Sequence, residues 1–451
     1  MGLATASIVW LIGASFYFYG HWKIAYLPIL MTSICVNFMM GRLFGTIDDK
    51  NHAKRKRLLL GAGIFFNVGL LGYYKYTDFF IANVNAIFGQ QIPSLRIVLP
   101  LAISFFTFQQ IAYLVDSYKG KVQRHSFIRY CLFVSFFPQL IAGPIVHHKE
   151  MMPQFESRKR MALDWNCIYS GLFLIAMGLF KKVVVADTFG VYANAGYSAV
   201  DSLTFWTAWK TSLSYTIQLY FDFSGYTDMA LGSARLINIH LPLNFDSPYK
   251  AQNIQDFWRR WHMTLSRFLR NYVYIPLGGN RKGAARTYRN IFLTFLIGGI
   301  WHGAGWTFAV WGAMHGVAVV IHRIWQKTGI TMSRSAAWAL TFLFVNASWV
   351  YFRAESITDA NMVLTAMAIP AITDLRALGN LAAQALSPSI LWLPLLALFI
   401  VQDVFYRNSQ QWSEVVKPSK RWSMINSVLF VAATLLIMSQ NRFSEFLYFQ
   451  F

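Results

Sequence analysis

Apolar runs long enough to cross a bilayer recur along almost the whole chain. A helix needs about 20 largely apolar residues to do so. Such runs fall at Leu3–Gly20, Ile24–Gly41, Leu58–Tyr74, Ile97–Val115, Phe127–Val146, Cys167–Ala186 and Leu203–Phe223. They continue with a short one at Ile291–Trp301, then Trp306–Ile324, Ala336–Phe352, Leu386–Val401 and Met424–Ser439. The pattern predicts an all-α polytopic integral membrane protein with roughly ten to twelve membrane segments. No repeat of fixed period and no low-complexity linker divides it, so residues 1–451 read as one integral domain.

Two stretches break the simple alternation. Phe127–Val146 carries Pro138, Gly143 and Pro144, which free backbone groups and break helices. The loops on either side of it, 116–126 and 147–160, are both basic (Lys119, Lys121, Arg124; Lys149, Arg158, Lys159, Arg160). A re-entrant or broken helix would leave both loops on one side. Residues 254–289 set Arg259, Arg260, Arg267, Arg270, Arg281, Lys282, Arg286 and Arg289 among aromatic residues. An arginine at the bilayer centre costs roughly 2.5–3.5 kcal/mol, so this stretch is no ordinary span. It is expected along the cytoplasmic interface or in a protein-lined cavity, with residues 275–280 ending its helical part.

Composition supports the membrane reading. Hydrophobic residues make up 56% and charged ones 13%, against about 25% charged in soluble domains. The net charge of +21 sits between apolar runs, the distribution expected of cytoplasmic loops beside anionic lipid. The loop at 48–57, with Lys50, Lys54, Arg55, Lys56 and Arg57, is one such loop, which places the N-terminus on the same side. No basic soluble domain is present to bind nucleic acid. Cys35, Cys131 and Cys167 show no CxxC spacing and read as small core residues rather than a disulfide or zinc framework. Met1 leads into apolar sequence without a basic n-region, so the first segment reads as a retained span.

The candidate chemistry gathers between Asp256 and Gly316. His302 ends an apolar run, bracketed by Trp301, Gly303 and Gly305, and a histidine there is costly to bury unless paired or used. His262 closes the segment Trp258-Arg-Arg-Trp-His262. His315 lies more than three helical turns beyond His302 and reads as structural. Asp222 and Asp228, at the end of an apolar span, call for partners; pairing with Arg or His, or capping near Gly225, is the default, with a catalytic carboxylate as the alternative. Asn244, Asp246 and Lys250 continue that motif into a loop. No GxGxxG, Walker, GxSxG or HExxH sequence occurs.

With these residues in view, the chain resembles the membrane-bound O-acyltransferases, in the branch of the bacterial alginate O-acetyltransferases. The matching stretches are LPLAISFFTFQQIAYLVDSYKG (99–120), FPQLIAGPI (137–145), YFDFSGYTDMALGSARLINIHLPLNFDSPYKAQNIQDFWRRWH (220–262), YIPLGGNRKG (274–283) and GGIWHGAGWTFAVWGAMHG (298–316). The resemblance implies that His302, in WHG, is the active-site histidine and that His262 is a second functional position. It also implies a funnel-shaped core open to both faces, and acyl transfer to a hydroxyl without a bound cofactor or metal. Relatives usually begin with a further apolar segment, which leaves the segment count and the side of Met1 open. The family also holds D-alanyl transfer proteins of teichoic acid modification; YIPLGGN favours the polysaccharide-acetylating side.

Acyl transfer from a thioester to an alcohol needs a base for the hydroxyl proton and a donor for the oxyanion. A neutral histidine suits the base, and His302 is the candidate. His262 is expected to orient a substrate, move a proton or stabilise charge. Trp258, Arg259, Arg260, Asn244, Asp222 and Asp228 are the candidate substrate-contacting residues. The arginines fit either interfacial anchoring or the phosphates of coenzyme A or an acyl carrier. The expected protein is thus an O-acyltransferase of the bacterial inner membrane. It would pass acetyl groups from a cytosolic thioester, with acetyl-CoA the expected donor, toward an exported polysaccharide such as alginate, through periplasmic or membrane partner proteins. Cellulose or peptidoglycan stays open as acceptor. The rivals are D-alanyl transfer to teichoic acid, a transporter or channel without chemistry, and a membrane scaffold.

Overall fold

The computed structural model describes residues 3–47, 52–123, 125–157, 160, 162–369, 407–439 and 446–447. Among these the regular elements are all helical. Five helical stretches are long and apolar enough to cross a membrane: Ile24–Phe44, Ala53–Phe88, Trp165–Tyr197, Trp306–Thr328 and Arg334–Arg353. The protein is an all-α, multi-pass membrane protein. The expected segment Leu386–Val401 lies outside the described residues. The chain divides into two compact units, one of Met1–Gly171 with Ser233–Pro242 and one of Leu172–Gly232 with Leu243–Phe451.

The first unit holds α1 (Leu3–Trp22), α2 (Leu27–Phe44), α3 (Ala53–Phe88), α4 (Ile103–Tyr118), α5 (Phe127–Ser135), α6 (Phe137–Leu140) and α7 (His148–Glu156). Inside it α2 and α3 are joined by a reciprocal amide pair. Asn37 Nδ2 donates to Asn67 Oδ1 at 3.2 Å, and Asn67 Nδ2 donates back to Asn37 Oδ1 at 2.6 Å. Both side chains are fully buried, the kind of polar contact that holds helices together where lipid gives no hydrophobic drive.

Two expected boundaries move for local reasons. Helix α3 runs well past Tyr74, and Asp78 near its end accepts from the backbone N–H groups of Leu95 (2.7 Å) and Ile97 (3.0 Å). That holds the incoming chain out of helical form, so α4 begins only at Ile103, after a left-handed Ala102. The stretch expected to break does so: α5 ends at Ser135, Phe136 is non-helical, and Pro138 opens the single turn of α6. Cys131 is a core residue as expected, whereas Cys35 is exposed on α2.

The second unit is built on α10 (Phe205–Leu236), α11 (Ile254–Arg260), α12 (Met263–Leu269), α13 (Ala284–His302), α14 (Trp306–Thr328), α15 (Arg334–Arg353) and α16 (Ile357–Ala368). It also contains most of α8 (Trp165–Phe180), a π-helical turn over Lys181–Ala186, α9 (Asp187–Tyr197), α17 (Ser409–Ser413) and α18 (Lys420–Ser439). Asn346 on α15 ties to α10 twice, accepting from Ser212 Oγ at 3.0 Å and donating to Thr216 Oγ1 at 2.7 Å. The arginine-rich stretch forms two short helices, a π-helical turn (Arg270–Tyr274) and then turns, as its charge requires. Helices α13 and α14 form a hairpin that crosses at glycine. A Cβ on Gly299 would lie 2.4 Å from the carbonyl of Phe308 and 2.8 Å from Gly312 Cα, so nothing larger fits.

Candidate active site

The close crossing of α13 on α14 carries the last residue of α13 inward. His302 is buried. Its ring meets those of Trp301, Trp311 and Phe352 at centroid distances of 4.9, 5.1 and 5.2 Å. An imidazole walled by aromatic faces has lost most of its contact with water.

His262 reaches its place by another route. The loop after α10 pairs with the α11–α12 junction through two backbone bonds, Asp246 N–H to Arg260 O (3.0 Å) and Met263 N–H to Asn244 O (2.9 Å). Between them His262 takes a left-handed backbone, φ 41° and ψ 55°, which a non-glycine residue adopts only where its surroundings impose it. Its ring is wholly buried and stands edge-on to Phe223 at 4.9 Å. Burial pushes its pKa from 6.5 down to about 3, so it is neutral at physiological pH. A run of rings links the surroundings of the two histidines. Trp311 stacks on Trp349 at 5.6 Å, and Trp349 packs on Trp261, the neighbour of His262, at 5.0 Å.

His315 is structural, as expected. Trp258 Nε1–H donates to its Nδ1 at 3.1 Å, which makes Nε2 the protonated nitrogen, facing Ser348 Oγ at 3.0 Å. The Ser348 hydroxyl in turn donates to Val345 O at 2.7 Å. Trp258, a candidate contact for substrate, is buried in this bond and against Phe295 and Trp311.

The two acids of α10 have lysine partners, not the arginine, histidine or glycine-turn partners expected. Lys182 Nζ lies 2.6 Å from Asp222 Oδ1 and 2.8 Å from Asp187 Oδ1. Lys181 Nζ lies 2.7 Å from Asp228 Oδ2 and 2.8 Å from Ser409 Oγ, which itself donates to Asp228 at 2.5 Å. Lys181, Lys182, Asp222 and Asp228 are buried, and Asp187 is half-buried. The reason is local packing. A Cβ on Gly225 would meet Gly178 O at 2.8 Å, so α8 and α10 touch backbone to backbone. The π-helical turn that follows brings two successive lysines toward α10. Sequence reading passed over Lys181 and Lys182, although two cations inside the apolar run Cys167–Ala186 were the signal. Asp222 also accepts from Leu447 N–H at 3.0 Å, and Phe446 packs on Tyr226 at 4.6 Å.

The arginines divide. Arg259 is exposed. Arg260 is occupied, with Nε 3.1 Å from both carboxylate oxygens of Asp256 and Nη1 3.2 Å from Asp246 O. Asn244 is fully buried, and its Oδ1 accepts from Thr264 Oγ1 at 2.6 Å.

The sequence profile of the membrane-bound O-acyltransferase family matches residues 96–357, more than half of the chain, including His262, His302 and the lysine–aspartate pairs. This chain belongs to that family. It is similar to the peptidoglycan O-acetyltransferase of Helicobacter pylori, 50% identical over 388 residues that cover 80% of this chain and 73% of that one. It is also similar to the probable alginate O-acetylase AlgI of Pseudomonas putida, at 37% identity over 461 aligned positions, covering 98% and 94%. The teichoic acid D-alanyltransferase of Bacillus subtilis is 27% identical over 237 residues, half of this chain. The chain is therefore a membrane-bound O-acyltransferase.

Proposed function

We propose that this O-acyltransferase takes an acetyl group from acetyl-coenzyme A on the cytosolic side of the bacterial inner membrane. It delivers that group through its core toward hydroxyls of an exported envelope polysaccharide, with partner proteins completing the transfer outside. The observation that carries the reading is His302, buried at the end of α13 among Trp301, Trp311 and Phe352. There it removes the proton of the attacking hydroxyl and later gives it to the departing thiolate, so no metal or redox group is called for. His262, buried and neutral, orients the reacting groups beside it. Arg259 and its exposed basic neighbours on the cytosolic face receive the phosphates of the donor.

Among acceptors, the relative at 50% identity favours peptidoglycan over alginate, and the weaker likeness to a teichoic acid D-alanyltransferase disfavours D-alanyl transfer. The test is consumption of labelled acetyl-coenzyme A by purified protein in nanodiscs, with and without a glycan acceptor, comparing wild type with His302→Ala. Wild-type turnover that drops about 10²–10⁴-fold in a folded variant supports the reading. A wild type that binds the thioester and moves it intact would make the protein a carrier. Equal turnover by both would remove His302 as the base.

A further inference from the structure

Both oxygens of Asn244 are occupied locally. Its carbonyl holds Met263 N–H at 2.9 Å, and its Oδ1 accepts from Thr264 Oγ1 at 2.6 Å. With Oδ1 fixed on the first turn of α12, the amide plane is set and Nδ2 points away from that turn. Nδ2 is buried and has no acceptor among the described residues, in a residue with no exposed surface at all. Buried donors of this kind are rare, because losing water without a new partner is costly. The same backbone bond that fixes Asn244 also fixes His262, the residue before Met263, in its left-handed conformation. An open donor and a strained, buried histidine are thus held by one two-bond bridge.

We propose that Asn244 is a catalytic residue, its Nδ2–H donating to the carbonyl oxygen of the acyl group. This rests on the acyl-transfer reading above. As the acceptor hydroxyl attacks the thioester carbon, the new C–O bond forms and the carbonyl oxygen takes the negative charge. Nδ2–H is preorganised to hold that charge where water is excluded. His302 takes the hydroxyl proton. Collapse of the adduct then breaks the C–S bond, and the thiolate leaves with that proton, so charge and atoms balance. An acceptor-only group such as a carbonyl oxygen suits a lone amide donor, and the fixed Oδ1 explains why the donor cannot turn away when no substrate is bound.

The experiment uses the full-length protein in nanodiscs and two variants. Asn244→Ala removes the amide; Asn244→Asp keeps an oxygen for Thr264 and puts an acceptor-only carboxylate oxygen in place of the donor. Each is assayed with an acetyl thioester and with its dithioester analogue, whose sulfur is a poor hydrogen-bond acceptor. The expected result is a kcat about 10²–10³-fold lower with KM changed little, together with loss of the wild-type preference for oxygen over sulfur. A lower kcat with that preference intact, unchanged kinetics, or failure of both variants to fold would make Asn244 a structural residue and end the proposal. Silence from wild type as well would overturn the donor reading and this inference with it. An active wild type beside unaffected variants would overturn this inference alone.

Discussion

His262 is held against the preferences of both its backbone and its side chain. A left-handed conformation costs a non-glycine residue about 1–2 kcal/mol, which His262→Gly would recover and His262→Ala would not. The glycine variant should therefore unfold at the higher temperature of the two while neither gains activity, a comparison that thermal unfolding and thioester turnover settle together. The buried ring adds a pH effect of known sign. Its pKa falls from 6.5 in the unfolded chain to about 3 in the fold. Between those values the unfolded state binds a proton that the folded state does not, so the stability it allows is intact above pH 6.5 and drains as pH drops toward 3. The unfolding midpoint of wild type should fall more steeply over that window than that of His262→Gln. His315 carries the opposite expectation. With both ring nitrogens bonded to Trp258 and Ser348, His315→Ala should cost about 1–3 kcal/mol in stability and leave residual turnover in the folded fraction. The burial of His262 and His302 was legible because each sits where apolar or aromatic sequence leaves it no water. The bonds that make His315 structural were not, since Trp258 and Ser348 are distant in sequence and meet it only in the fold.

Among the elements, α8, the π-helical turn and α10 form the least expected assembly. Breaking a buried ion pair on one side leaves a charge stranded, at about 3–5 kcal/mol. Lys181→Met and Asp228→Leu should each lower the unfolding midpoint sharply, and the double variant should recover much of the loss, since apolar replacement of the pair removes both charges. If the double variant is as unstable as the two singles combined, the pair is not the unit drawn above. Sequence showed that Asp222 and Asp228 needed partners but offered arginine and histidine for them. The lysines were concealed by counting their run as an ordinary span, and only the backbone contact of Gly178 with Gly225 brings the two helices near enough. Helix boundaries failed for similar reasons: Asp78 reaches forward to Leu95 and Ile97, a contact that periodicity cannot report. The break at Pro138 and the short helices of the arginine-rich stretch were legible, because proline and charge act locally.

At the scale of the molecule, the two units are interleaved in sequence. The chain leaves the first within α8, returns to it within α10 at Ser233 and leaves again after Pro242. Neither unit is a contiguous piece, so expression of residues 243–451 alone should yield no monodisperse protein in detergent, as size-exclusion chromatography would show, whereas the full chain should. The all-α membrane class was plain from the apolar runs, but this division was not, because it depends on which helices pack rather than on where they lie. The lysines of the π-helical turn add a matter of timing. Asp228 lies 47 residues beyond Lys181, which at cellular rates of synthesis is about 2–9 s of translation. For that interval α8 has been delivered to the membrane with Lys181 at its end, whose counter-charge does not yet exist, while Lys182 already has Asp187 five residues on. Biogenesis of this enzyme thus includes a stage at which α8 is committed only provisionally. Lys181 can meet its counter-charge only after the ribosome has passed Asp228.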